Sequence, residues 1–212
     1  MRVLVACEYS GRVRDAFLAL GHDAMSCDLL PTEVPGPHYQ GDVRNILRDG
    51  WDLMIAHPPC QHLAVSGARH FHKKEKQQAE ALDFVRLLMD APIPCIVIEN
   101  PVSVISSRIR KPDQIIQPYW FGHAARKTTC LWLKGLPKLT PTNMVEPIIV
   151  TLRNGKRFSA DYMEGVPRSK AGESMAARSR TYSGVAEAMA AQWGLAPNVR
   201  IMRGGLGGEE VV

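Results

Sequence analysis

Pro58-Pro59-Cys60-Gln61 and Glu99-Asn100 are the segments of this sequence best equipped for chemistry. Two consecutive prolines hold the backbone extended and present the next side chain at a fixed angle. A thiol there, just past a strand end and close to helix N-termini and His57, has surroundings that favour its thiolate, the form that attacks carbon. The alternative for Cys60 is a buried, inert thiol. Glu99 directly follows an apolar run, so it projects from the same edge as Cys60. Partly buried there, its carboxyl is expected to keep its proton more readily and to donate a hydrogen bond or a proton. The alternative for Glu99 is a salt bridge to Arg108 or Arg110.

The elements that must position these groups alternate between strand and helix. Residues 3–7, 23–27, 52–56 and 93–98 are short apolar runs. Helical spacing covers 13–20, stopped by Gly21, and 73–89, where Ala81, Phe84, Val85, Leu87 and Leu88 supply the apolar face. Continuous apolar strands between helices predict an α/β fold with a mostly parallel sheet covered on both faces. Ligands of such sheets bind beyond the carboxyl ends of the strands. That edge collects Cys7, Glu8, Tyr9, Ser10 and Gly11, then Asp28, Asp42, His57 to Gln61, and Glu99-Asn100. Asp28 is placed either to accept both hydroxyls of an adenosine ribose or to cap a turn.

The C-terminal half reads differently. Residues 148–152 and 157–160 flank Asn154-Gly155, a strong hairpin signal, and 182–193 form a helix rich in Ala and Met. Residues 1–194 are expected to form a single domain with a small hairpin insertion over 140–170, and the Gly-rich 195–212 a flexible tail.

The whole chain has 212 residues, 45% hydrophobic and 22% charged, values of a globular protein rather than a disordered or fibrous one. Lys and Arg number 26 against 21 acids, and the net charge of +5 suits a phosphate-bearing partner. The five cysteines, Cys7, Cys27, Cys60, Cys95 and Cys130, are scattered and odd in number, which points to free thiols in a reducing, cytoplasmic-type compartment. The first 20 residues carry Glu8, Arg12, Arg14 and Asp15 and do not resemble a signal peptide. No apolar stretch approaches the ~20 residues of a membrane span, so a soluble protein is expected.

Residues 56–68, Ala-His-Pro-Pro-Cys-Gln-His-Leu-Ala-Val-Ser-Gly-Ala, resemble the catalytic loop of cytosine carbon-5 DNA methyltransferases. Ile98-Glu99-Asn100-Pro101 is similar to that family's Glu-Asn-Val motif, at a compatible distance downstream. Residues 4–21, Asp28 and Gly41-Asp42-Val43 fall where the family binds S-adenosylmethionine. The likeness covers 1–135 and, more weakly, Tyr182-Ser183-Gly184. It implies a Rossmann-like, S-adenosylmethionine-dependent methyltransferase fold. It also implies Cys60 as the thiolate that adds to carbon-6 of cytosine, Glu99 as the acid on the ring nitrogen, and Asn100 as the residue fixing the loop between them. Cys7, Glu8, Tyr9, Ser10, Gly11, Asp28, Asp42 and Pro58 would hold the cofactor. Gln61, Ser66, Arg126 and Lys127 would meet the base or its phosphate.

Departures from the family pattern shape the expectation. Its glycine-rich cofactor loop is thinned to Ser10-Gly11, so Glu8 and Tyr9 are expected to contact the methionine part. Ala56 and His57 stand where glycines usually precede Pro-Pro-Cys, and Gly184-Val185 stands in place of a Gly-Asn pair. Arg126-Lys127-Thr128-Thr129 is the nearest basic group to the family's absent Gln-x-Arg-x-Arg segment. The target-recognition domain shrinks to 140–170, where Lys156, Arg157, Arg168 and Lys170 are either phosphate contacts or a solvated face. Cytosine in DNA is the first substrate reading and free dCMP the second. An inactive nucleic-acid-binding protein of the same fold is a third. A zinc site from Cys60, His62, His70 and His72 is a fourth, although their spacing matches no standard zinc pattern.

Overall fold

The computed structural model describes residues 1–151, 155, 157–159 and 180–195. Seven strands form one sheet: β1 (Arg2–Ala6), β2 (Asp23–Asp28), β3 (His38–Gln40), β4 (Leu53–Ala56), β5 (Cys95–Pro101), β6 (Gln114–Ile116) and β7 (Thr129–Lys134). Their spatial order is β3-β2-β1-β4-β5-β7-β6. All neighbours run parallel except β7, which is antiparallel to both β5 and β6. The order reverses between β1 and β4, which is the switch point where open α/β sheets bind ligands. This is the Rossmann-like α/β fold that the sequence implies.

Period-two alternation assigns each strand residue to a layer. Val3, Val5, Leu53, Ile55, Cys95, Val97 and Leu131 face one side, where helix α1 (Arg12–Ala19) contributes Val13 and Phe17. The last helix of the described residues, α4 (Ser183–Trp193), adds Ala186, Met189 and Trp193 to the same layer. Leu4, Ala6, Met54, Ala56, Ile96, Ile98 and Trp132 face the other side, against Leu82, Val85 and Leu88 of helix α2 (Glu75–Met89). Burial of each such side chain stabilises the fold by about 2 kcal/mol.

The strand and helix expectations fall within two residues of the observed ends except at β5, which runs three residues past the expected 98, and a short helix α3 (Ile105–Arg108) follows β5. The hairpin appears as the antiparallel pair β8 (Ile149–Thr151) and β9 (Arg157–Ser159). Lys156, Arg168 and Lys170, most of the 140–170 insertion beyond the hairpin, and 196–212 of the tail lie outside the described residues. All five cysteines are free, and three of them, Cys27, Cys95 and Cys130, are buried in strands. Among the described residues, no helix is long and apolar enough to cross a membrane.

Candidate active site

Strand register brings the chemical groups to one edge. β4 and β5 are parallel neighbours with Ala56 opposite Ile98, so His57 and Glu99, the next residues along, lie side by side. Their side chains form a close pair, with His57 Nδ1 2.6 Å from Glu99 Oε2 and only 14% and 12% of the two exposed. Burial by itself would push the Glu99 carboxyl up. The adjacent His57, its hydrogen bond, Lys127 and the Thr181 hydroxyl outweigh that and hold the carboxyl down at about 2. Burial likewise opposes charge on His57, yet Glu99 and, more weakly, Glu8 raise it above its ordinary value against the effect of Lys127.

Three expectations are revised by this pair. Glu99 is held as a carboxylate in the free protein rather than protonated, because the charge and hydrogen bond of His57, with Lys127 and Thr181, outweigh its burial. Its partner is neither Arg108 nor Arg110; Arg110 pairs with Asp113 at 2.7 Å. His57 Nδ1 faces Glu99, so the imidazole expected near the Cys60 thiol serves the carboxylate instead.

Cys60 itself is exposed at this edge, which removes the buried-thiol alternative. Its carbonyl accepts the amides of Leu63 and Ala64, closing a tight turn. The following chain is tied to the segment after β5: Val65 N–H donates to the Val102 carbonyl, and Val104 N–H donates to the Leu63 carbonyl. From the other side, the buried Asn100 donates its side-chain amide to the carbonyl of Pro58 at 2.9 Å. Pro58 is buried while Pro59, Cys60 and Gln61 are exposed, so the loop is anchored at its base and presented at its tip.

The turn after β1 contains several candidate residues in different roles. Gly11 caps α1 with φ 74°, a left-handed conformation that favours glycine, and an added Cβ would meet Arg14 at 2.5 Å. Glu8, 5% exposed, accepts the amide of Val13 at 2.8 Å and that of Arg14 at 3.4 Å, and also the Ser10 hydroxyl at 3.0 Å. Its carboxylate therefore serves as the cap of α1, satisfying donors that a helix start leaves open. Glu8, expected to reach the methionine part of a cofactor, is thus engaged in capping the helix. Ser10 is tied into the same cap, also accepting the Arg12 amide at 3.4 Å. Tyr9 stays half-buried, and its carbonyl accepts the Glu33 amide.

Cys7 is the one non-glycine residue with positive φ (59°) among the described residues. Burial, together with Asp28 and Asp42, pushes its thiol well up, so it is no nucleophile. Asp28 ends β2 beside the end of β1, and Asp42 follows β3. Asp28 Oδ1 accepts the Leu30 amide at 2.9 Å, so it does cap a turn. Its carboxylate retains further lone pairs for hydroxyl groups, with Leu29 and Leu30 exposed beside it. Asp42 Oδ1 accepts from the amide and side chain of Arg44 at 2.9 and 3.1 Å.

On the substrate side, Lys127 is close enough to influence Glu99 and donates to the Arg180 carbonyl at 3.3 Å. With Thr181 and Tyr182 it lines a small recess at Glu99. Arg126 is exposed, and its amide donates to the Ser159 hydroxyl at 2.9 Å, joining the hairpin to this edge. Ser66 and Gln61 are exposed, the latter within 3.0 Å of the His62 ring. Among the described residues, no group of three or more His, Cys, Asp or Glu side chains is arranged to hold a metal ion.

Sequence reasoning missed two contributors, Arg14 and Thr181, and saw His57 without its pairing to Glu99. Arg14 is fully buried, and its guanidinium donates five hydrogen bonds, to Asp15, Ser26, Thr32 and the carbonyls of Val34 and Pro35, fixing the loop that follows Asp28. Thr181 reaches Glu99 at 3.5 Å. His57 was visible as a departure from glycine, which was the available signal of its pairing.

No protein-family model matches the sequence, and no curated protein does. Two solved structures are similar in chain path. A prophage-encoded protein of E. coli assigned as a DNA modification methyltransferase has a TM-score of 0.45 at 16% identity, over 79% of this chain and 56% of that one. The Entamoeba histolytica methyltransferase EhMeth has a TM-score of 0.48 at 14% identity, over 80% of this chain and 62% of that one. The chain thus spans less than two thirds of either structure, and the functional argument rests on the site's own residues.

Proposed function

We propose that the protein is an S-adenosylmethionine-dependent cytosine carbon-5 methyltransferase acting on cytosine in DNA. The observation that carries this reading is that an exposed cysteine, on a loop braced by Asn100, and a largely buried carboxylate follow adjacent parallel strands at one edge of the sheet. Carbon-5 of cytosine is too weak a nucleophile to accept a methyl group directly. A thiolate added at carbon-6, with a proton supplied to the ring nitrogen, makes carbon-5 an enamine carbon able to attack. Cys60 supplies the sulfur and Glu99 faces the ring nitrogen. Loss of the carbon-5 proton and departure of the thiolate then release product.

The residues at the switch point fit the cofactor by their chemistry. Asp28 offers a carboxylate for ribose hydroxyls, exposed Leu29 and Leu30 offer apolar surface for a purine, and Asp42 and the turn from Cys7 to Gly11 close the same end of the sheet. Pro58 lies at the base of the Cys60 loop, between that end and β5. Bound S-adenosylmethionine would supply an electrophilic methyl group. Lys127, beside Glu99, and Arg126 next to it would offer cations to a phosphate, and the exposed Gln61 and Ser66 on the Cys60 loop would meet the base.

Free dCMP is the second substrate reading. The sequence between β7 and α4 leaves little length for gripping a duplex and filling the place of an extruded base, whereas a nucleotide needs a few cations. Labelled methyl transfer from S-adenosylmethionine to duplex DNA, single-stranded DNA and dCMP tests both. Incorporation into DNA supports the first reading, and incorporation into dCMP alone replaces it with the second. No incorporation, with no calorimetric binding of S-adenosylmethionine, would make this a nucleic-acid-binding protein of the same fold.

A further inference from the structure

We propose that His57 is a positioning residue that stores the proton Glu99 delivers to the pyrimidine ring, so that the acid of this site is a two-residue relay. The inference rests on the methyltransferase reading above and deepens it. Its basis is geometric. His57 and Glu99 leave neighbouring strands at the same level, their Nδ1 and Oε2 atoms are 2.6 Å apart, and both side chains are largely buried. A carboxylate so closely paired cannot also be the resting acid, since it lacks the proton that the reaction requires.

The charges facing His57 come from three elements: Glu99 on β5, Glu8 in the turn after β1, and Lys127 before β7. Two acids against one cation favour the protonated imidazole. Glu99 is in turn faced by Lys127 and the Thr181 hydroxyl. In the protonated imidazole both nitrogens carry protons, and the one on Nδ1, within 2.6 Å of Glu99, is the one it can pass, while Nε2 is buried without a hydrogen-bond partner among the described residues.

The step balances as follows. The Cys60 sulfur forms a bond to carbon-6, and the carbon-5–carbon-6 π pair becomes a carbon-4–carbon-5 double bond. The Nδ1 proton of His57 passes to Glu99 and from it to the ring nitrogen, which binds it with the pair displaced from the carbon-4–nitrogen double bond. The imidazole ends neutral and Glu99 remains a carboxylate. After methyl transfer a solvent water takes the carbon-5 proton, the C–H pair re-forms the carbon-5–carbon-6 double bond, the Cys60 thiolate leaves, and the ring-nitrogen proton returns to His57 through Glu99.

The test is steady-state methyl transfer by the full chain and its His57→Gln and Glu99→Gln variants across pH 5.5–9, using whichever of duplex DNA or dCMP the unaltered protein methylates. The unaltered protein should lose kcat on the alkaline side as His57 gives up its proton. His57→Gln should lower kcat about 100-fold with KM little changed, and should abolish that alkaline limb. Nitrogen-15 NMR of the imidazoles provides a readout independent of turnover: His57 should titrate at higher pH in the unaltered protein than in Glu99→Gln. A His57→Gln enzyme with the original kcat and alkaline limb, or a His57 titration indifferent to Glu99→Gln, overturns the relay while leaving the methyltransferase reading intact. An unaltered protein that methylates nothing overturns that reading, and the relay with it.

Discussion

Asn100 on β5 reaches back across the sheet edge and donates its side-chain amide to the carbonyl of Pro58, two residues before Cys60, at 2.9 Å. The bond joins the strand that carries Glu99 to the loop that carries the thiol. Both ends are buried, so solvent cannot replace it cheaply.

Replacing Asn100 with Ala should therefore act on geometry before stability. Loss of the bond strands a buried carbonyl and should cost about 1–3 kcal/mol in urea denaturation. A loop freed by even an ångström should lower methyl transfer about 100-fold, with little change in S-adenosylmethionine affinity by calorimetry.

Arg14 makes the strongest prediction about the scaffold. Its five hydrogen bonds hold the loop after Asp28 from the inside, and lysine presents a single point charge where a planar fork is needed. Arg14→Lys should destabilise the fold by about 3 kcal/mol and expose residues 29–37 to limited proteolysis. An unchanged digestion pattern would contradict this role.

Stability should depend on pH through His57 and Glu99. Glu99 is depressed from an ordinary value of 4.5 to about 2, so its contribution is present above 4.5 and is lost as pH falls toward 2. His57 is raised above 6.5, so its contribution is complete below 6.5 and disappears as pH rises through its folded value. The pair, one shared interaction, thus stabilises most between about 4.5 and 6.5. Urea denaturation over pH 3–9 should show this maximum, and Glu99→Gln should flatten both limbs.

The inner parallel strands β1, β4 and β5 were legible as apolar runs, and helices α1 and α2 as helical apolar stripes. β3 and β6 escaped notice because three residues are too few to show a period, and β7 because nothing local states that it runs against its neighbours. At the site, Cys60, Glu99 and Asn100 could be read from strand ends and motif. The protonation of Glu99 could not, because it is set by His57, a contact 42 positions away that depends on strand register. Glu8 shows the converse: a carboxylate at the ligand edge that its own helix consumes. Gly184 is explained by packing rather than by the family's lost Gly-Asn pair, since a Cβ there would lie 2.0 Å from the Phe121 carbonyl.

The most direct measurement is intact-mass spectrometry of the protein incubated with S-adenosylmethionine and cytosine carrying fluorine at carbon-5, in a duplex oligonucleotide and in dCMP. Fluorine cannot leave as a proton does, so the thioether to carbon-6 should persist after methyl transfer. Unaltered protein should gain the mass of the substrate plus one methyl group, mapped to Cys60, and Cys60→Ser should gain nothing while still binding cofactor. An adduct on another residue, or product formed at the normal rate by Cys60→Ser, would contradict the account.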